Sequence, residues 1–252
     1  MNAPRDTPSR RANRHVAVRG IVVSLVLLVV GGVGGLTNGW SDASFTHAAS
    51  SRPVVALTFD DGLNDDYSEA LANQLEARGM RGTFFVVADT LSAQDDLAQA
   101  LVERGHLLAN HSYDHTRASK TDLLYTQVSR AQHAFEQAIG KCPAFYRPPY
   151  GVQTPWVNAA VHRAGMQTVL WDVEVADWKE TDPQRLAANV LAKTRPGAII
   201  LLHDGTDGHR GADRSVLVEA LPFILDGLQA RGLSAVTLDD LLGEPGYLEA
   251  CP

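Results

Sequence analysis

From Val54 to the C-terminus, short apolar runs alternate with longer segments in which apolar residues recur three and four positions apart. This repeated change from a period of two to a period of 3.6 constrains the fold more than any other feature of the chain. Strands are predicted at residues 54–59, 82–87, 106–109, 144–147, 167–173, 198–202 and 233–237. Between them, helices are predicted at residues 67–78, 93–104, 121–139, 154–164, 183–193 and 215–230, the first stopped by Gly79. Strand followed by helix, repeated, implies an α/β protein whose parallel sheet is covered by helices. Seven or so such units in about 200 residues suit a closed or nearly closed barrel, with an open doubly wound sheet as the alternative. Asp60, His111, Pro148, Asp177 and His203 all follow the ends of predicted strands. A barrel gathers such ends on one rim, which favours the first reading.

The residues ahead of this pattern have a different composition. The chain holds 22 basic and 29 acidic side chains, but its first 36 residues carry five arginines (Arg5, Arg10, Arg11, Arg14, Arg19) against Asp6 alone, leaving the remainder at net −11. An acidic body without a basic, aromatic-studded face argues against nucleic-acid binding. The arginines precede an apolar stretch at residues 21–36, broken only by Ser24 and four glycines. That reads as a signal peptide or a membrane anchor. Sixteen residues fall short of the roughly 20 of a full span, which favours a signal peptide, and Thr46-His47-Ala48 offers a small-residue cleavage pattern. A retained signal anchor is the alternative, in which case the N-terminal segment is the only contact with a membrane. Either way the flanking arginines keep the N-terminus cytoplasmic and place the chain beyond Trp40 outside the cell or in its envelope. Residues 1–52 are thus read as leader and linker, and residues 53–252 as one catalytic domain. Cys142 and Cys251 are the only cysteines, and in an exported protein they are candidates for a disulfide.

The polar residues at the strand ends are of types that make a hydrolytic metal centre. In Thr58-Phe59-Asp60-Asp61-Gly62, two neighbouring carboxylates reach one site only where the strand is ending, and Gly62 permits that turn. Their mutual repulsion is relieved if a cation sits on one of them. Taken alone, Asp-Asp-Gly is more often a plain turn or helix cap. His111 and His115 are spaced to share one face if their segment is helical, so that both imidazoles reach one ion. Arg147-Pro148-Pro149-Tyr150-Gly151 forms a stiff rim whose first available backbone donor after the prolines is the Tyr150 N–H, suited to an oxyanion. Asp177-Trp178 offers a carboxylate to orient Arg147 and an aromatic wall. Leu201-Leu202-His203-Asp204 brings a histidine to the rim beside a carboxylate that could raise its pKa, as a general acid requires.

Taken in order, these segments resemble the five motifs of the polysaccharide deacetylase family, carbohydrate esterase family 4 or NodB homology domain, over residues 54–242. The resemblance implies a distorted β/α barrel of about seven or eight parallel strands. It implies Asp60 as catalytic base, with Asp61, His111 and His115 holding a divalent metal, most simply Zn2+, with Co2+ or Mn2+ as alternatives. Arg147 would position Asp60, Asp177 would hold Arg147, and the Tyr150 N–H would face the oxyanion. Leu201 would line the pocket for the acetyl methyl group beside Trp178, and His203 would be the general acid. The reaction implied is removal of acetyl groups from N-acetylated glycans such as chitin oligosaccharides or peptidoglycan. Acetyl xylan esters or another amide are alternatives on the same centre, and a catalytically silent wall carbohydrate-binding protein is the alternative outside enzymes. The chain departs from the family in residues 63–66, which lack the proline common there and leave the substrate open.

Overall fold

The computed structural model describes Met1, residues 44–118 and residues 123–252. The arginine-rich segment and the apolar stretch at residues 21–36 lie outside the described residues. Among the described residues, no helix is long and apolar enough to cross a membrane. Ser44–Pro252 form one compact unit.

Among the described residues, seven parallel strands form one curled sheet: β1 (Val54–Asp60), β2 (Thr83–Val86), β3 (Leu107–Asn110), β4 (Phe145–Tyr146), β5 (Gln167–Thr168), β6 (Ile199–His203) and β7 (Ser234–Val236). Their order is β5-β4-β3-β2-β1-β6, with β7 paired to the first half of β1. The sheet curls into a distorted barrel, and the seam between β5 and β6 is closed in two ways. A parallel bridge joins Val173 to Ile200, and the segment at residues 45–48 lies across the gap. Phe45 donates its N–H to Thr168 O at 3.0 Å and accepts from Leu170 N at 2.7 Å, while Ala48 N donates to Gly197 O at 2.9 Å. The compact unit therefore reaches back to Ser44, ahead of the Pro53 start that strand periodicity predicts. Bridges made by single residues leave no periodic pattern to read.

Period-two alternation sorts the side chains of β1. Val55, Leu57 and Phe59 point outward into the large core beneath the helices, whereas Val54 and Ala56 belong to the smaller core that fills the barrel with Phe85, Phe145 and Ile199. Thr58 and Asp60 continue this inward row at the end of the strand, which is why the barrel interior meets the site there. Residue 61 is the first free of the alternation.

The long helices are α1 (Asp65–Glu76), α2 (Asp95–Glu103), α3 (Gln127–Ile139), α4 (Pro155–Arg163), α5 (Pro183–Lys193) and α6 (Ser215–Ala230), followed by the short α7 (Leu238–Leu242). Asp182 caps α5 by accepting from Gln184 N and Arg185 N at 2.9 and 3.2 Å, with Pro183 at its first position. Pro222 lies inside α6, where it removes a donor. The carbonyl it would have bonded, that of Val218, accepts instead from Gln74 Nε2 of α1 at 3.1 Å. Gly227 of α6 lets α5 approach closely, since a Cβ there would stand 2.3 Å from Leu191 Cδ1. Helix α3 starts at Gln127, later than the predicted residue 121; residues 119–122 lie outside the described residues. Cys142 and Cys251 are bonded, with Cα atoms 5.3 Å apart, so the C-terminal segment is tied beside β4.

Candidate active site

Among the described residues Arg147 is the largest fully buried side chain, and its polar contacts are inside the barrel. Its Nη1 donates to Asp60 Oδ1 at 2.6 Å and Thr58 Oγ1 at 2.9 Å, its Nη2 to Leu170 O at 3.0 Å and its Nε to Val169 O at 3.3 Å. The guanidinium lies 3.9 Å from the Phe85 ring centroid. A buried cation without partners would cost several kcal/mol, and this one is held by a carboxylate, a hydroxyl and two carbonyls. The consequence for Asp60 is orientation: Oδ1 is committed to Arg147, and Oδ2 points toward the rim, 3.7 Å from His111 Nε2.

The chain turns immediately after Asp60, and the turn residue is Asp61 itself at φ 75°, not Gly62. Gly62 serves the turn by its size, because a Cβ there would sit 2.1 Å from Asp204 Oδ2. Asp61 Oδ1 is buried without a hydrogen-bond partner and lies 3.1 Å from His115 Nε2 and 3.4 Å from His111 Nε2. Ligands on a tetrahedral zinc at 2.0–2.1 Å stand roughly 3.3 Å apart, so the three atoms have the spacing of a cation's coordination shell. Among the described residues these three side chains form the candidate metal cluster. Burial pushes the Asp61 carboxyl up, but the facing imidazoles of His111 and His115 hold it well below the ordinary range. His111 Nδ1 lies 2.8 Å from Arg147 O, which can only accept, so the proton is on Nδ1 and the Nε2 lone pair faces Asp61.

The condition under which the spacing would put both histidines on one face, a helical segment, is not met. They belong to a loop after β3 with Ser112 at φ 74° and His115 at φ 58°. Asn110 Oδ1 accepts from Ser112 N at 2.8 Å and Ser112 Oγ from His115 N at 3.0 Å, and these side-chain contacts replace a helical ladder.

On the other side of the cleft, His203 Nδ1 lies 2.8 Å from Asp177 Oδ1, and His203 N donates to Asp177 Oδ2 at 2.9 Å. This corrects two expectations. Asp177 holds His203 and forms no hydrogen bond or ion pair with Arg147, whose partners are Asp60, Thr58 and the two carbonyls. The carboxylate that raises His203 is likewise Asp177 and not the adjacent Asp204, whose Oδ2 accepts from Ser68 Oγ at 2.5 Å behind the site. Burial would lower the His203 pKa, but the charge and hydrogen bond of Asp177, helped by Asp60 and Asp61, raise it to about 9. Burial, with Asp61 and Asp60 nearby, pushes the Asp204 carboxyl up to about 7 against the Ser68 bond.

These groups surround a cleft of about 410 Å³ that also includes Tyr150, Trp178, Leu201, Trp171 and Asp207. Trp178 stands edge-on to His203 with ring centroids 4.8 Å apart, Leu201 is buried in the floor, and Tyr150 follows the two prolines at φ 57°. Of the sequence-predicted site residues, Asp60, Asp61, His111, His115, Tyr150, Trp178, Leu201 and His203 line this cleft, and Arg147 and Asp177 hold Asp60 and His203 from behind it. Sequence reasoning missed Thr58 as an Arg147 partner, Trp171 as a wall and Asp207. The inward alternation of β1 would have signalled Thr58; nothing local marks the other two.

A buried ion pair, a carboxylate-bound histidine and an aspartate-dihistidine cluster together at one barrel rim suit a metal-dependent hydrolase. Residues 47–169 match the polysaccharide deacetylase family profile. The chain is 34% identical, over 76% of its own length and 92% of the relative's, to a chitooligosaccharide deacetylase of Bradyrhizobium sp. (strain ANU 289). It superposes on the crystal structure of the Bc1960 peptidoglycan N-acetylglucosamine deacetylase with a TM-score of 0.75 and 25% identity, covering 81% of this chain and 95% of that one. A mutant of BA3943, a family 4 pseudoenzyme with restored enzymatic activity, has the same fold at a TM-score of 0.71 and 26% identity, over 80% and 71% of the two chains. The chain belongs to the polysaccharide deacetylase family.

Proposed function

We propose that this protein removes acetyl groups from N-acetylated glycans of the chitin-oligosaccharide or peptidoglycan type, with Zn2+ held by Asp61, His111 and His115. The observation that carries the reading is the unpartnered, buried Asp61 Oδ1 facing two imidazole nitrogens, with Asp60 Oδ2 beside it and His203 across the cleft. When bound, the cation polarises the acetamide carbonyl and makes water a better nucleophile. Asp60, oriented by Arg147, takes the proton from the attacking water through Oδ2. The Tyr150 N–H donates to the oxyanion that develops on the acetyl carbonyl. His203, kept protonated by Asp177, gives its proton to the departing amine. Leu201 and Trp178 receive the acetyl methyl group. A silent binding protein would lack a ligand or the base, and here the set is complete.

The leader and the Cys142–Cys251 bond support delivery to the cell envelope or beyond, with the residues ahead of Ser44 as targeting segment. The partner is then an acetylated wall glycan, and no nucleic acid is involved.

The test is acetate release from chitin oligomers and from peptidoglycan, with and without a chelator. Release that depends on added zinc is expected. The Asp60→Asn protein should bind zinc normally and lose about 10²- to 10⁴-fold in rate. No release from either glycan with zinc, cobalt or manganese present would sink the reading.

A further inference from the structure

His111 and His115 are held in different ways, and the difference points to a residue outside the predicted site. The orientation of His111 comes from a backbone carbonyl, that of Arg147. His115 Nδ1 has no hydrogen-bond acceptor in line with it among the described residues, and the carboxylate beside it is that of Asp207, with Oδ1 2.6 Å away. The same Oδ1 accepts from Tyr150 Oη at 3.3 Å. The rings of His115 and Tyr150 meet edge to face at 4.8 Å, and Arg117 stands 5.3 Å from the Tyr150 ring centroid.

Asp207 is not on a loose surface strand of chain. Its loop leaves β6 and is pinned at several points. Arg214 Nε donates to Gly205 O at 2.7 Å, Arg210 Nη2 to Asp65 Oδ1 at 2.8 Å, and His209 N to Thr206 O at 2.7 Å. Asp207 takes φ 47° and Gly208 φ 74°, and a Cβ on Gly208 would lie 2.9 Å from Val87 Cγ1, so the loop is pressed against the segment after β2.

For Nε2 of a histidine to bind a cation, the ring must be neutral with its proton on Nδ1, and a carboxylate beside Nδ1 favours that tautomer and fixes the ring. We propose that Asp207 is a positioning residue that orients His115 as a metal ligand and, through the Tyr150 hydroxyl, ties the residue bearing the oxyanion donor to the same carboxylate. The proposal rests on the metal-centre reading of Asp61, His111 and His115. One exposed aspartate then links the ligand set to the neighbouring Tyr150 wall of the acetyl site.

The experiment measures Zn2+ affinity in the absence of glycan, by competition with a chromophoric chelator, for the unchanged protein, Asp207→Ala and Asp207→Asn. Metal-free melting temperatures are measured in parallel. Asp207→Ala is expected to bind Zn2+ about 10- to 100-fold more weakly, with its metal-free melting temperature unchanged. Asp207→Asn keeps an acceptor oxygen near Nδ1 and should fall between the two. The proposal is overturned if Asp207→Ala binds Zn2+ within about twofold of the unchanged protein, a margin inside the 10-fold minimum expected. It is equally overturned if the affinity loss comes with a lowered metal-free melting temperature in both variants. Failure of the unchanged protein to bind Zn2+ would instead remove the metal-centre reading itself.

Discussion

At the scale of single residues, the His203–Asp177 pair sets the pH behaviour. The folded pKa of about 9 lies above the ordinary 6.5 of histidine. The stability this adds is therefore full below about pH 6.5 and is lost as the pH climbs through about 9. The same proton is the one needed by the leaving amine, so activity should fall on the alkaline side as His203 deprotonates. A cation bound at Asp61 offsets part of the negative charge that holds His203 up, so the alkaline limb of the loaded enzyme lies below 9. Asp177→Asn removes the largest raising influence and should shift that limb toward acid by about 1 to 2 pH units. A pH–rate profile reads it directly, and an unmoved limb would show that His203 is not the acid.

At the scale of elements, the segment at residues 45–48 acts as part of the barrel although it precedes the first strand. Phe45 packs against the barrel core and pairs with Val169, and His47 reaches Asp172 at 2.8 Å. The partial burial of Phe45, together with the backbone bonds of residues 45–48, contributes about 2 kcal/mol. A protein beginning at Ser51 is expected to melt about 4–8 °C below one beginning at Ser44, a difference that calorimetry resolves. Elements themselves were well read from the sequence where local chemistry marks their ends. Helix α5 begins and ends where predicted because Asp182 and Pro183 announce it, and α6 does so because a long apolar stripe needs no cap to be seen. Reading failed where side chains at a distance decide. The His111–His115 loop is held from outside by Gln127, whose Oε1 accepts from Tyr113 N and Asp114 N at 3.1 Å, and the partner of Asp177 depends on how β6 aligns with the segment after β5. Neither is a property of local spacing.

Across the whole molecule, the Cys142–Cys251 bond closes a loop with a sequence separation of 109. Cross-links of that reach stabilise by about 2–5 kcal/mol, largely by restricting the unfolded chain. Cys142→Ser should lower the midpoint of urea unfolding accordingly while leaving Zn2+ affinity unchanged, since neither cysteine touches the cleft. Equal midpoints for the two proteins would mean the bond adds nothing to stability.

The closure of the barrel at its seam also bears on the order in which the protein is made. Phe45 must wait for Val169, His47 for Ala198, and Asp60 for His203, its register partner on β6. Contacts so distant along the chain form slowly and late. A ribosome must therefore deliver β6 before Asp60 and His203 first face each other, and a chain stopped short of it lacks His203 and its side of the cleft.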